Sequence, residues 1–247
     1  MSSSDPFKID GPAVISFSGG RTSAYMLRRI LDSARTVDMD DVHVLFADTG
    51  KEREETYQFV RDCAARWQVL IHWVQRPGQF TQLITDRKGL PNPLMRFCTQ
   101  ELKIRPMRDF MLAHGYEHWT NVVGIRADEP RRVARMRAPN RERWDIALPL
   151  AEAGITEADV MAFWATQPFD LQLRPDDGNC DLCFLKGYYK IRNLVRERPD
   201  LAAWWIEQEA RTGSVFRRDR PNYAAMLAQG DLFSEPLGEL MECYCHD

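Results

Sequence analysis

Ser18-Gly19-Gly20-Arg21-Thr22-Ser23 lies between an apolar, β-branched run, Ala13-Val14-Ile15-Ser16-Phe17, and a helix-like stretch, Ala24-Tyr25-Met26-Leu27-Arg28-Arg29-Ile30-Leu31. A run that ends in glycines and hydroxyls and then takes up helical apolar spacing reads as strand, tight turn and helix N-terminus. Backbone N–H groups approach an anion closely only where no Cβ intervenes, so Gly19 and Gly20 suit a phosphate cradle. The amides of the turn, the helix dipole and the hydroxyls of Ser18, Thr22 and Ser23 would converge on a di- or triphosphate. Taken alone, the same residues also describe an ordinary serine-capped turn, so the rest of the chain has to decide.

The turn is neither a Walker loop, since no Gly-Lys-Ser/Thr follows at the required spacing, nor a dinucleotide fingerprint. Val42–Ala47, Val69–Val74 and His118–Arg126 read as three further strands separated by helical stretches. That alternation predicts a wound parallel sheet, an α/β class. The second strand runs into Asp48-Thr49-Gly50. A carboxylate just past a strand end sits where open α/β sheets bind ligands. Asp48 there suits a magnesium ion or a ribose hydroxyl, or simply an Asx turn. Cys63 reads as a small core residue and His72 as a sheet residue. Cys98, beside Arg96 and ahead of a helix, reads as a thiol of lowered pKa or a metal ligand, and Lys103 as a cation able to meet an anion, or the two simply as a buried cysteine and an exposed lysine. Arg126, Arg131, Arg132, Arg135, Arg137, Arg141 and Arg143 form a dense guanidinium segment with Asp128, Glu129 and Glu142 among them. It reads as an anion-binding flap over a nucleotide or a nucleic-acid backbone, or as a salt-bridged surface. Leu148-Pro149-Leu150 reads as extended, and Ile155–Trp164 as a helix capped by Thr156 with Asp159 three residues on.

A chain of 247 residues with 44% hydrophobic content and a formal net charge of -3 is long enough for one substantial core and an appendage, and its charge alone points to no partner. The polar start Met1-Ser2-Ser3-Ser4-Asp5 and the lack of a bilayer-length apolar run lead to the expectation of a cytoplasmic protein without a membrane partner. In that compartment six cysteines favour metal or redox chemistry over a disulfide framework.

The turn resembles the PP-loop, Ser-Gly-Gly-x-x-Ser, of the ATP pyrophosphatases and of their relatives, the phosphoadenylyl-sulfate (PAPS) reductases. Asp48-Thr49-Gly50 followed by Glu55-Thr56 resembles the second signature of the PAPS reductase family, and Gly124-Ile125-Arg126-Ala127-Asp128-Glu129 its Gly-Ile-Arg-x-x-Glu motif. Arg96–Pro106 resembles the Cys-Cys-x-x-x-Lys-x-x-Pro segment of iron-sulfur members, with Phe97 in place of the first cysteine. The resemblance implies a Rossmann-like domain of adenine nucleotide α-hydrolase type over residues 10–166. A C-terminal helical, cysteine-bearing lobe over 167–247 follows it. It implies that Ser18, Gly19, Gly20, Arg21, Thr22, Ser23, Asp48, Thr49 and Gly124 hold an adenine nucleotide, and that Arg126 with Lys103 offsets developing phosphate charge. The intact loop favours ATP with Mg2+.

Cys180-Asp181-Leu182-Cys183 permits a redox pair or half a metal site. With Cys98 and a tail cysteine it would supply four thiolates, suited to a 4Fe-4S cluster or to zinc. The iron-sulfur relatives favour the cluster. The ending Glu242-Cys243-Tyr244-Cys245-His246 resembles the Glu-Cys-Gly-x-His tail of the sulfonucleotide reductases, with Tyr244 where glycine is expected. On that register Cys243 is a nucleophile released by thioredoxin and Cys245 replaces the ligand lost at Phe97; alternatively Cys243 is the fourth ligand, or the terminal Cys-x-Cys with His246 is an adventitious metal binder. Lys186, Lys190, Arg192, Arg217, Arg218 and Arg220 read as scattered surface cations or the extension of a basic groove. Three functions therefore stand: adenylation by ATP for iron-sulfur-assisted sulfur transfer, thioredoxin-dependent PAPS or adenylyl-sulfate reduction through Cys243, and nucleotide or nucleic-acid binding without turnover. Neither the acceptor nor the oligomeric state is marked in the sequence.

Overall fold

A computed structural model of the chain describes residues 5–33, 40–139, 142–174, 177–178 and 180–229. β1 (Ala13–Ser16) leads through a tight turn into α1 (Arg21–Ser33), β2 (Val42–Ala47) into α2 (Glu54–Trp67), and β3 (Ile71–Val74) into α3 (Gln79–Arg87). Next come α4 (Phe97–Thr99), a π-helical turn (Gln100–Ile104), α5 (Arg105–Ala113), β4 (Trp119–Val123), α6 (Pro130–Arg137), β5 (Trp144–Ala147), α7 (Pro149–Glu152) and α8 (Glu157–Trp164). The last described helices are α9 (Tyr188–Glu197), α10 (Pro199–Thr212) and α11 (Tyr223–Ala228). None of the described helices is long and apolar enough to cross a membrane.

The five strands pair in parallel in the order β3-β2-β1-β4-β5. This is the Rossmann-like α/β sheet expected from the alternating pattern. The short apolar strands suit a sheet covered on both faces: Ala13, Ile15 and Leu45 are fully buried, and so are Phe17, Met26, Leu27 and Ile30. The chain places β2 and β3 on one side of β1 and then returns to place β4 on the other. Strand order thus reverses beside β1, and open α/β sheets bind ligands beyond the strand ends at such a switch point. Ser18–Ser23 is the turn that leaves β1 there.

Two local expectations change. Leu148-Pro149-Leu150 is not extended: Pro149 opens α7, where its fixed φ and missing N–H cost nothing. The strand lies just before it, at Trp144–Ala147, an alternating edge strand too short to stand out, with Trp144 stacked on Trp119 at 5.3 Å. The capping box at Thr156 and Asp159 forms as expected.

The chain divides into two compact units interleaved in sequence: residues 1–47, 54–74 and 106–172, and residues 48–53, 75–105 and 173–247. The sequence division at 166–167 does not coincide with them. Phe80, Leu83, Ile84, Leu90 and Leu102 bury their side chains with Ile191, Leu194, Val195, Trp205, Phe216 and Tyr223, so α3 and the π-turn share a core with α9–α11. The first unit holds the whole sheet, and there Cys63 is fully buried, its thiol pKa raised first by that burial.

Gly19 explains how tightly the turn after β1 can lie. Its φ is +75°, and a Cβ there would stand 2.7 Å from Thr56 Cγ2 and 3.1 Å from both Phe46 and Val60. Gly19→Ala should therefore cost about 1–3 kcal/mol in urea unfolding; an unchanged midpoint would mean that the turn relaxes freely.

His72 is a sheet residue, and it belongs to a ring cluster. His43 lies 5.8 Å from His72, 5.3 Å from His114 and 5.6 Å from Tyr116, whose hydroxyl donates to Asp41 at 2.7 Å. Burial first, then the neighbouring imidazoles, hold His43 and His72 below the usual histidine range, while Asp41 pulls His43 the other way. With the folded-state pKa depressed, the unfolded chain binds more protons once pH falls below about 6.5, so this stability is complete above that pH and is lost below it. The drop in Tm between about pH 7.5 and about pH 5.5 should shrink in His43→Phe. An equal drop in both proteins would contradict the assignment.

Candidate functional site

The turn after β1 is tied down from inside. Ser23 is only 4% exposed. Its Oγ donates to the Gly20 carbonyl at 3.0 Å and accepts the Ser18 N–H at 3.2 Å. Its single proton being used, the 3.0 Å contact with Ser18 Oγ has Ser18 as donor. α1, which starts here, has no acidic residue in its first turn. Its positive dipole end is therefore uncompensated by the helix itself, as an anion site requires.

The segment after β4 closes against this turn. A Cβ on Gly124 would stand 3.3 Å from Ser23 Cα, so Gly124 serves a close backbone approach. Arg126 donates to Thr22 Oγ1 at 3.3 Å and pairs with Asp128 at 3.0 Å and Glu157 at 3.2 Å. Its own N–H donates to Glu129 at 3.0 Å, and the other Glu129 oxygen takes Arg132. Gly-Ile-Arg-x-x-Glu is thus a self-capping turn that sets a guanidinium on the hydroxyl rim of the loop. The salt-bridged reading holds for Arg126 and Arg132; Arg141 lies outside the described residues.

Arg21 corrects an expectation. Its guanidinium grips both Asp170 oxygens at 2.7 Å, and its carbonyl accepts from Trp164 Nε1 at 3.0 Å. Neither partner had a sequence signal, because each lies more than 140 residues away.

In the second unit Cys98, Cys180 and Cys183 line one cavity of about 50 Å3, together with Lys51, Arg96 and Lys103. That is room for roughly three or four water molecules. Cys180 and Cys183 are hydrogen-bonded to each other, and this contact, then burial, raises the Cys180 pKa. Burial, then Cys183, pushes the Cys98 thiol up to about 11, against Lys103 and Arg96. Cys98 is therefore not a thiol of lowered pKa: it sits inside α4, and desolvation outweighs both cations.

Residues 48–53 run alongside the Cys-x-x-Cys loop. Glu52 pairs with Cys180 in an antiparallel bridge, and the Asp181 N–H donates to the Lys51 carbonyl at 2.9 Å. Asp48 accepts the Gly50 N–H and Gln79 Nε2, each at 2.8 Å, which realises the Asx turn. Thr49 donates to Glu52 at 2.9 Å, and burial raises the Glu52 pKa. Lys186 and Arg220 are neither surface cations nor a groove. Lys186 is buried among the carbonyls of Asp177, Cys180 and Asp181, and Arg220 donates to those of Phe184 and Lys186 at 2.8 Å each. Arg217 pairs with Asp219.

The donor set fits a thiophilic group in kind, being soft thiols on one cavity with cations to offset their charge. It is one sulfur short of four. Among the described residues no three His, Cys, Asp or Glu side chains are gathered as a metal site. The expected completing residues Cys243 and Cys245 lie outside the described residues.

Comparison with known proteins sets the sheet and its turns in a family, with Cys180 and Cys183 beyond the matched region. The phosphoadenosine phosphosulfate reductase domain family matches residues 12–167. The uncharacterised nin region protein ORF290 of Escherichia phage lambda is 31% identical over 230 residues, covering 83% of this chain and 76% of that protein. Among solved structures, a PAPS reductase from Candida auris in complex with phosphate is 17% identical with a TM-score of 0.45, over 63% of this chain and 72% of its own. The U34-tRNA thiolase NcsA from Methanococcus maripaludis, with its [4Fe-4S] cluster, is 13% identical with a TM-score of 0.48, over 92% of this chain and 76% of its own. With the sheet, the Ser-Gly-Gly turn and the Gly-Ile-Arg turn all inside the matched region, the chain belongs to the phosphoadenosine phosphosulfate reductase domain family.

Proposed function

We propose that this protein uses ATP to adenylate an oxygen of its substrate and then replaces that oxygen with sulfur handed over at the thiol cavity. The observation that carries the reading is that Cys98, Cys180 and Cys183 share one cavity wall with Lys51, Arg96 and Lys103. The intact, internally braced Ser18–Ser23 turn supports ATP as the nucleotide.

In this scheme the amides at the start of α1 bind the β- and γ-phosphates of Mg2+-ATP. The substrate oxygen attacks the α-phosphorus, the bond to the β-phosphate oxygen breaks, and pyrophosphate leaves. Arg126, on the rim at Thr22, offsets the charge that develops. A sulfur nucleophile then forms a C–S bond while AMP departs with the C–O electron pair, so the exchange needs no oxidant or reductant. A 4Fe-4S cluster, or zinc in its place, would supply a soft-metal site for that sulfur. Cys98, Cys180 and Cys183 would hold it, with Cys243 or Cys245 as the fourth thiolate. Lys103, on the same wall, favours anionic sulfur there.

Pyrophosphate release should appear with ATP, Mg2+ and an acceptor drawn from tRNA, DNA or small metabolites; release that stays at background with all of them overturns the reading. Sulfite formed from PAPS with thioredoxin, and abolished by Cys243→Ser, would instead establish the reductase. Protein purified without oxygen should carry iron and sulfide that Cys183→Ala loses, while its affinity for a non-hydrolysable ATP analogue stays unchanged. Ser23→Ala removes the buried acceptor of the Ser18 N–H. It should cost about 1–3 kcal/mol of stability and weaken analogue binding about tenfold, with the iron content retained.

A further inference from the structure

Between α3 and α4 the chain holds two large apolar side chains away from its own core. Leu94 is 95% exposed and Met95 61%. The flanks of the segment pack inward: Leu90 is buried in the core of the second unit, and Phe97 lies against it. The tip between them is stiff. Asn92 Oδ1 accepts the N–H groups of Leu94 at 2.9 Å and of Met95 at 3.0 Å, the Asn92 N–H donates to the Met95 carbonyl at 3.2 Å, and Pro91 and Pro93 fix φ on either side of Asn92. Apolar residues scattered singly over a surface need no explanation, but two adjacent ones on a turn braced to project them do. Beside the tip three guanidiniums meet one carboxylate. Glu101, only 7% exposed, pairs with Arg105 at 2.7 Å, with Arg87 and, at 4.0 Å, with Arg76, which also takes Asp86 at 2.7 Å. Arg87 and Arg105 are half-exposed, and the Arg87 guanidinium lies 5.6 Å from the ring of Phe97, two residues beyond Met95.

An apolar wedge next to oriented guanidiniums fits a partner that has flat apolar faces in a stack and anions spaced along its edge. We propose that this segment is a nucleic-acid docking surface, on which Arg87 and Arg105 take backbone phosphates while Leu94 and Met95 insert at a base step. Among the described residues Glu101 engages one nitrogen of each arginine, so both forks are oriented in advance with donors remaining for phosphate. One or two apolar side chains are enough to part a base step. The rival occupants need more surface than the tip offers. A single myristoyl chain holds a protein on a bilayer only marginally, and Leu94 with Met95 brings fewer carbons. A second copy of the chain needs about 800 Å2 per partner, far more than two side chains supply. Arg96 and Cys98, on the wall of the thiol cavity, directly follow the tip, so the step it parts would be the one nearest the proposed sulfur. As an account of the acceptor the inference rests on the proposed sulfur transfer; as a binding surface it rests on this segment alone.

The test uses the full chain, so that acidic residues outside the described ones, Asp176 and those within 231–247 among them, act on this surface as they do in the protein. Its probes are RNA hairpins and DNA hairpins of matching sequence, end-labelled for anisotropy and carrying 2-aminopurine at one position each. At least one kind should bind with a Kd of about 1–100 µM near physiological salt. Arg87→Gln combined with Arg105→Gln should weaken binding about tenfold and flatten the dependence of log K on log salt by about 2. If that pair leaves Glu101 too poorly matched for the protein to fold, Arg105→Gln alone decides, a flattening by about 1 supporting the inference and an unchanged slope overturning it. Leu94→Ala combined with Met95→Ala should keep the slope and lose the rise in 2-aminopurine emission that marks an unstacked base. The inference is overturned if the unaltered protein binds neither hairpin, if both double variants bind as it does, or if the emission never rises or still rises in Leu94→Ala with Met95→Ala. Binding to phosphatidylserine vesicles, or a dimer in sedimentation, that the same variant loses would assign the tip to another partner and overturn it too. Pyrophosphate release with a small metabolite and no hairpin binding sinks this inference and leaves the adenylation reading standing. Hairpin binding as described without pyrophosphate release does the reverse.

Discussion

The architecture of the sheet-bearing unit depends on a steric constraint at one residue. Gly19 lies against Thr56, Phe46 and Val60 with no room for a Cβ. That closeness lets β1 turn into α1 within a few residues at the point where strand order reverses. Ser23 then holds the turn from within, and the missing side chain of Gly124 lets the β4 segment close against it. Each contact brings backbone closer than a larger residue would permit, and together they leave the amides at the start of α1 as the polar groups best able to meet an anion.

The two sites solve opposite electrostatic problems by related means. Around the turn after β1, N–H groups and a helix dipole present positive potential, as an anion site requires. Around the Cys-x-x-Cys loop, carbonyl oxygens converge inward on Lys186 and Arg220, and the sulfurs are left on the cavity side. The backbone itself is the polar ligand in both cases. A structural cation takes in the second the place that a bound phosphate would take in the first.

The sequence was most readable where a property is local. Apolar runs and glycine pairs located β1 to β4, the turn and the capped α8, because each depends on a few consecutive residues. The edge strand β5 escaped because four alternating residues before a proline carry little periodic signal. The side-chain partner of Arg21 escaped for a different reason: Asp170 is brought to it by tertiary packing that no spacing encodes. Lys186, which the surrounding charge pattern suggested was a surface cation, is held by carbonyls within its own loop, whose inward turn the charge pattern does not reveal. Cys98 lies on the wall of the thiol cavity, and of the readings open to it the lowered thiol pKa gives way to a raised one. Proximity to Arg96 and Lys103 is visible in sequence, whereas the desolvation that outweighs them is not.

That sign reversal bears on how the cavity works. A buried thiol held protonated by its surroundings is inert as a nucleophile and resists oxidation. On the proposed function the same burial would suit Cys98 and Cys180 to act as ligands, since a soft cation repays the desolvation of several sulfurs at once and releases their protons. Lys51, Arg96 and Lys103 on the wall reduce the remaining charge. On the proposed function these thiols would act together as ligands rather than singly as nucleophiles, and a sulfur nucleophile used in turnover would belong to a bound group or to a cysteine outside this wall.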